Sequence, residues 1–326
     1  MTADSSRLYG AIDLGGTRLR SIVVDGSGRV LGDDIGFSSA EKGLEVVLER
    51  IEESLDAALG KAGVKRERLA GLGIASPGAV DVVRGIVPNA PQLPGWQDVP
   101  LARLLGERFG LPTLLENDAS AAALGEHRFG AGRGSRHMLY ITVSTGVGGG
   151  IIIDGELYRG KSGAAGEMGH VIIDMNGPAC GCGARGCLES LASGTAIAKR
   201  GEELAESGDS PILARLRKEE GPVTAEMMER AATMGDAASR KAFRQAGHYF
   251  GVALAGFVNI FDPEVIVIGG GVAKAGDLLL EQARVTMESL AMTQPLKGVR
   301  LTVSELGEFA GTMGMVARLR EEAEEG

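Results

Sequence analysis

The chain has 326 residues, of which 44% are hydrophobic and 24% charged, and its net charge is −9. That length and balance supply enough apolar surface for about two water-soluble domains. They argue against a nucleic-acid binder, which would need a local basic patch working against the overall field, and no run nears the ~18 uninterrupted apolar residues of a membrane span. In chain order, residues 8–14 read as a buried strand and 20–24 as a second, with the turn DGSG at 25–28 leading into RVLG. Ser38 and Glu41 have the spacing of a capping box ahead of a helix-period run, GLEVVLERIEESLDAAL. LAGLGIAS at 69–76 returns as a strand, after which proline and glycine dominate 77–100 and predict a long ordered loop. A short helix near 101–109 leads to the strand PTLLEN, and ASAAALGEHRFG is an alanine-rich helix. Residues 138–160 read as strand, glycine turn, strand, turn, strand, which repeats the opening of the chain. Helical patterns fill 193–257, 263–273 is a strand ending in a glycine turn, and the chain closes on a helix with an acidic tail. Two similar halves predict a duplicated α/β domain with a cleft between the copies.

Three glycine turns each follow a predicted strand. They are Asp13-Leu14-Gly15-Gly16-Thr17-Arg18, the run from Ser144 through Thr145 and Gly146 to Gly150, and Gly269-Gly270-Gly271. Glycine is needed where backbone N–H groups must come close to phosphate oxygens, and the hydroxyls of Thr17 and Thr145 add donors. Asp13 suits Mg²⁺ held through water, and Arg18 adds positive charge for a transferring group. None of the three matches GxxxxGK[ST], and none is a GxGxxG opening a βαβ unit. Each alone is as readily a plain hairpin; together they argue for a nucleotide straddling two domains.

Leu115-Glu116-Asn117-Asp118 ends a strand and precedes a helix. Phosphoryl transfer needs a group that takes the attacking hydroxyl's proton, a role for Asp118; the competing reading is a helix N-cap, which asparagine and aspartate both favour. Glu116 reads as structural. All three cysteines, Cys180, Cys182 and Cys187, fall within eight residues, with His170 just upstream. Three thiolates and an imidazole form the ligand set of a closed, structural Zn²⁺ site, and they fit a reducing compartment such as the cytoplasm better than a disulfide framework. Glu167, His170 and Glu189 flank this cluster and offer paired acceptors and donors for a polyhydroxyl ligand. His170 is then wanted by both metal and sugar, which its two ring nitrogens allow. Ser76-Pro77-Gly78 and Asn89 to Trp96 are candidates for the opposite wall, with Trp96 either a core anchor or a stacking surface. His127, His137 and His248 have no such company and read as surface or core residues. The N-terminal segment MTADSSRLYG has no apolar signal-peptide core.

DLGGTRLR, GIASPGAVD, APQLPGWQDVPL, LENDASAAALGE, STGVGGG, GEMGHVIID, CGCGARGCLES and VIGGGVA, in this order, resemble the ROK family (repressor, open reading frame, kinase) over almost the whole chain. The resemblance implies the actin-like ATPase (ribonuclease H-like) fold, with two α/β domains and an interdomain cleft. It implies a smaller N-terminal domain over 1–118, completed by a C-terminal helix at about 305–326, and a larger domain over 119–304 carrying the zinc loop. It also implies ATP- and Mg²⁺-dependent phosphorylation of a hexose by a homodimer or homotetramer. On this resemblance Asp118 is the base, Gly78, Asn117, Glu167, His170 and Glu189 face the sugar, and Asp13, Gly15, Gly16, Thr17, Arg18, Thr145, Gly146 and Gly269 to Gly271 hold ATP. His170, Cys180, Cys182 and Cys187 hold zinc. Within the family the chain is most similar to bacterial glucokinases. It departs from the family pattern at Arg18, where lysine is usual, at Ser120, where asparagine follows NDA, and at Gln92, where glucokinases have asparagine. The family's regulators carry a helix-turn-helix ahead of the first glycine turn, and the twelve residues before Asp13 are too few for one.

Overall fold

The computed structural model describes residues 6–325. Strands β1 (Leu8–Leu14), β2 (Arg18–Asp25) and β3 (Val30–Phe37) form an antiparallel meander, followed by helix α1 (Leu44–Ala62) and strand β4 (Leu69–Ser76). Strands β5 (Ala79–Asp81), β6 (Ile86–Asn89) and β7 (Gln97–Val99) come next, then α2 (Leu101–Phe109), β8 (Thr113–Asn117) and α3 (Asp118–Phe129). A second series begins with β9 (Met138–Val143), β10 (Val147–Ile153) and β11 (Glu156–Leu157). Helices α4 (Leu188–Ala192), α5 (Gly194–Ser207), α6 (Pro211–Glu220), α7 (Ala225–Thr233) and α8 (Ala237–Phe261) precede β12 (Val265–Gly269). The chain finishes with α9 (Asp277–Leu290), α10 (Thr293–Leu296), β13 (Arg300–Val303) and α11 (Ala310–Glu325).

The expected duplication is visible in the sheets. One has the order β3-β2-β1-β4-β8 and the other β11-β10-β9-β12-β13, so each places its own strands as third, second, first, fourth, fifth. The first sheet is covered on both faces, as the alternation of β1 requires. Ile12 and Leu14 join the core under α1 and α2, whereas Tyr9 and Ala11 join a second core with Met313, Met315, Val316 and Leu319 of α11. Asp13 lies on this second face by the same period of two. Helices α3 and α11 cross at glycines: a Cβ on Gly314 would collide with the carbonyl of Ala121, and one on Gly125 with that of Ala310. The buried Glu126 ties the helices to the incoming chain, accepting from the N–H groups of Leu306 at 2.9 Å, Glu305 at 3.2 Å and Ala131 at 2.8 Å.

Two expectations from the sequence are corrected. Residues 77–100 are not a loop but contain the three-stranded sheet β5-β6-β7, whose strands of three or four residues are too short to show a pattern. The capping box does not form. Ser39 adopts the left-handed region at φ 51°, a 3₁₀ turn follows over Ala40–Lys42, and Gly43 precedes α1 without a side-chain cap.

The chain divides into two compact units. One holds residues up to Arg136, Gly150–Gly166 and the chain from Ser304 onward; the other holds His137–Gly149 and Glu167–Val303. The expected division at 118/119 would have separated α3 from the first unit, but α3 packs against α11 and stays with it. Helix α11 falls within the first unit. No helix among the described residues is long and apolar enough to cross a membrane.

Candidate active site

The first unit carries Asp13, Gly15, Gly16, Thr17, Arg18, Gly78, Asn117 and Asp118. Strand β4 pairs in parallel with both β1 and β8, which brings the end of β1 and the end of β8 to the same edge of the sheet. Asn117 makes the N-cap of α3, its Oδ1 accepting from the N–H of Ser120 at 3.0 Å. Its Nδ2 donates to the carbonyl of Gly78 at 3.0 Å. The capping position is thereby assigned. Asn117 is the cap, and Asp118 stands in the first turn, where its Oδ1 accepts the N–H of Ala119 at 2.8 Å. Gly78 itself has φ +83°, and a Cβ there would lie 2.7 Å from the carbonyl oxygen of Asn89.

Asp13 is within electrostatic reach of Asp118. Burial first, then that second carboxylate, push its acid up to about 7, while Arg20, its cross-strand neighbour on β2, pulls it back. Arg20 is held over the ring of Phe309 at 4.3 Å and paired with Glu308 at 2.7 Å. The backbone of Gly311, in the first turn of α11, lies against Asp13: a Cβ there would come 2.7 Å from Oδ2. A carboxylate at a helix N-terminus is favourably placed in the helix field. The turn Gly15–Arg18 closes with the Gly15 N–H on the carbonyl of Arg18 at 2.8 Å, and Thr17 and Arg18 are exposed beyond it. Gly16 packs under the loop containing Gln92, whose carbonyl oxygen would lie 2.8 Å from a Cβ. Gln92 thus reaches this turn through its backbone carbonyl and its Cβ. Ser120 is buried. Trp96 is buried in the α1/α2 core, which settles its two readings in favour of the anchor.

The second unit carries the remaining predicted residues. The turn Ser144–Gly146 is fastened to the N-terminus of α5, with the carbonyl of Ser144 accepting from Gly194 at 2.7 Å and that of Thr145 accepting from the Thr195 hydroxyl at 2.8 Å. Glu189 leans on the same turn: its Oε2 accepts from the N–H of Val147 at 3.0 Å, and a Cβ on Gly146 would strike it. The third turn packs against the end of β9, since a Cβ on Gly270 would meet the carbonyl of Val143. Thr145 and Gly271 line one cavity of about 250 Å³ with Thr195, Val223, Glu229 and Phe243. This is near the lower size of small-molecule pockets, about 300 Å³. The walls from α5 and α7 were not anticipated; the only hints in the sequence are the capping residues Ser193 and Thr224 that start those helices.

His170, Cys180, Cys182 and Cys187 converge, their ligand atoms all within 4.8 Å of one another. A tight turn closes on the carbonyl of Cys180, which accepts from Gly183 at 3.0 Å, and a bridge between Ile172 and Cys187 returns the third cysteine to the histidine. Cys182 and Cys187 have sulfurs 3.7 Å apart, and the Cys180 sulfur lies 3.6 Å from Nδ1 of His170. Bonds of about 2.3 Å to sulfur and 2.0 Å to nitrogen give tetrahedral edges of about 3.5–3.8 Å, so the spacing fits a four-coordinate ion. Burial and the neighbouring sulfurs push the Cys187 thiol up to about 12, so a cation is what would let the sulfurs ionise together. The two ring nitrogens of His170 point to different neighbours. Nδ1 faces the cysteines, and Nε2 faces Glu167 with 3.9 Å to Oε2.

A model of the ROK family matches residues 9–322. A glucokinase of Thermotoga maritima is 36% identical over 95% of this chain and 96% of its own length. A xylose repressor of Caldicellulosiruptor bescii is 32% identical over 94% of this chain and 76% of its own. Among solved structures, a ROK family glucokinase from Streptomyces griseus in complex with glucose and AMPPNP aligns with a TM-score of 0.84 and 33% identity, over 96% of this chain and 99% of that one.

Proposed function

The chain belongs to the ROK family, and on that footing we propose that it is an ATP-dependent hexose kinase, with glucose as the acceptor and the 6-hydroxyl as the site of transfer. One observation carries the assignment of the base. Asn117 makes the helix cap, so the Asp118 carboxylate is not needed for it and stands at the end of β8 near Asp13. Asp118 takes the proton of the attacking hydroxyl and aims its oxygen at the γ-phosphorus. Asn117 and Gly78, joined by their hydrogen bond, and Glu167, His170 and Glu189 are the residues assigned to the sugar. Gly15, Gly16, Thr17, Arg18, Thr145, Gly146 and Gly269 to Gly271 supply N–H groups, hydroxyls and charge for the nucleotide.

Two metal ions fit the residues present. Two carboxylates close enough to raise one acid's proton affinity suit a hard cation, and Asp13 would hold Mg²⁺ through water. When bound, Mg²⁺ neutralises charge on the triphosphate. His170, Cys180, Cys182 and Cys187 would hold Zn²⁺, which leaves no open position and so fixes the loop bearing Glu167 and Glu189 rather than joining the chemistry. In this reading the protein works in the cytoplasm and does not bind nucleic acid, for which the thiol set and the net charge of −9 are the support, and it assembles as a homodimer or homotetramer, which the family resemblance implies.

Coupled detection of ADP release over glucose, mannose, fructose and N-acetylmannosamine tests the reading. Glucose should give the highest kcat/KM. A clear preference for another sugar would move the substrate, and no ADP release with any of them would end the kinase reading. The similarity to a xylose repressor gives the alternative its footing; a gel-shift with the promoter regions of sugar operons should show no specific complex.

A further inference from the structure

Glu116 is almost completely buried, one residue before Asn117 and two before Asp118. Its Oε2 accepts from Arg159, from Nε at 2.8 Å and from Nη2 at 2.7 Å, while Oε1 faces the N–H of Asn117 at 3.2 Å. Arg159 is also the closing residue of its own loop, its carbonyl accepting from the N–H of Ala165 at 3.1 Å. Within that loop Gly163 lies against the carbonyl of Val80, where a Cβ would sit 3.0 Å away, and Val80 is two residues beyond Gly78. Loop 159–165 therefore touches both pieces of chain that Asn117 joins: the end of β8 through an ion pair, and the turn after Gly78 through packing. All of these residues belong to the first unit.

We propose that Arg159 is a positioning residue of the acceptor site, which, through the buried Glu116 carboxylate, fixes the strand end that presents Asn117 and Asp118 to the sugar. The proposal rests on the kinase reading above. Its physical basis is the asymmetry of a buried ion pair. The pair itself adds little net stability, but removing one partner strands the other in a place without water. A stranded Glu116 would seek water or a new donor, and the strand end carrying the base would move with it. Displacement of a reacting group by about 1 Å costs on the order of a hundredfold in rate.

The test is steady-state kinetics and thermal melting of the full chain carrying Arg159→Met, Arg159→Lys, Glu116→Gln, or Glu116→Gln with Arg159→Met. Arg159→Met should lower kcat with glucose about tenfold or more, raise KM for glucose, and leave KM for ATP within about twofold of wild type. Arg159→Lys should restore part of the loss, because an ammonium still pairs with the carboxylate as a point charge. The double variant should turn over faster than Arg159→Met alone, because no charge is left unpaired. Wild-type kcat and KM in Arg159→Met, with only a lowered Tm, would reduce the pair to scaffolding and overturn the proposal. If Arg159→Met does not fold, Arg159→Lys and Glu116→Gln decide, and wild-type kcat in both overturns it. Failure of the kinase reading looks different, since wild type itself would then release no ADP with any hexose.

Discussion

The carboxylate of Asp13 rests on Gly311 so closely that a methyl group there would lie 2.7 Å from Oδ2 and 3.0 Å from Cγ. Two residues nearly three hundred positions apart thus set where one acid points. Gly311→Ala should displace the carboxylate or tilt the start of α11, and kcat should fall about tenfold or more while the protein stays folded. Steady-state kinetics at several Mg²⁺ concentrations, beside a melting curve, checks this. Unchanged kcat at every concentration would mean that the carboxylate has room to spare.

The raised acid of Asp13 makes a statement about stability. An ordinary aspartate releases its proton near pH 4, whereas folded Asp13 keeps its proton up to about pH 7. Between those values the folded protein binds the extra proton, so stability declines as pH rises through the window and levels off above it. Asn at position 13 does not ionise. Without Mg²⁺, the Tm advantage of Asp13→Asn over wild type should therefore widen from pH 5 to pH 8, at the expense of turnover. A constant or narrowing gap would contradict the upward shift of this acid.

Asp118→Asn removes the proposed proton acceptor and keeps the shape of the first turn of α3. Turnover should fall by several orders of magnitude, with glucose binding by calorimetry changed no more than severalfold. Asn117→Ala should behave differently. It loses the cap and the bond to Gly78, so it should cost about 1 kcal/mol of stability and weaken glucose binding. If the two variants gave the same profile, the division of labour between cap and base would be wrong.

Elemental analysis of the purified protein should find one zinc per chain. Stripping it with a strong chelator, or Cys182→Ser, should lower Tm and raise KM for glucose more than KM for ATP. An ion in the cluster would pin the segment from Glu167 to Glu189, whereas the cavity proposed for the nucleotide is built on α5, α7 and the second and third glycine turns. Fully active protein free of metal would remove zinc from the account.

Where a signal was local, the sequence carried it. Strand β4 coincides with LAGLGIAS and β1 with LYGAIDL, because a continuous apolar run bounded by turns has few other outcomes. The cysteine cluster was legible for the same reason, since its geometry is built within eighteen residues. What stayed hidden depends on distant neighbours. Nothing near Glu126 announces that residues 304–306 will donate to it, and nothing near Arg159 points to Glu116. The cap of α3 was ambiguous because Asn117 and Asp118 are both good capping types, and only backbone geometry separates them by one position.

The shared strand order of the two sheets has a consequence for how the repeat has diverged. Each copy begins with a hairpin whose tight turn is rich in glycine, but the first has the half-buried Asp13 beside it and the second has the hydroxyls of Ser144 and Thr145. A module used twice need not do the same task twice. Here one turn follows an acid and the other is flanked only by neutral groups, so transplanting either turn into its sibling should cripple the recipient.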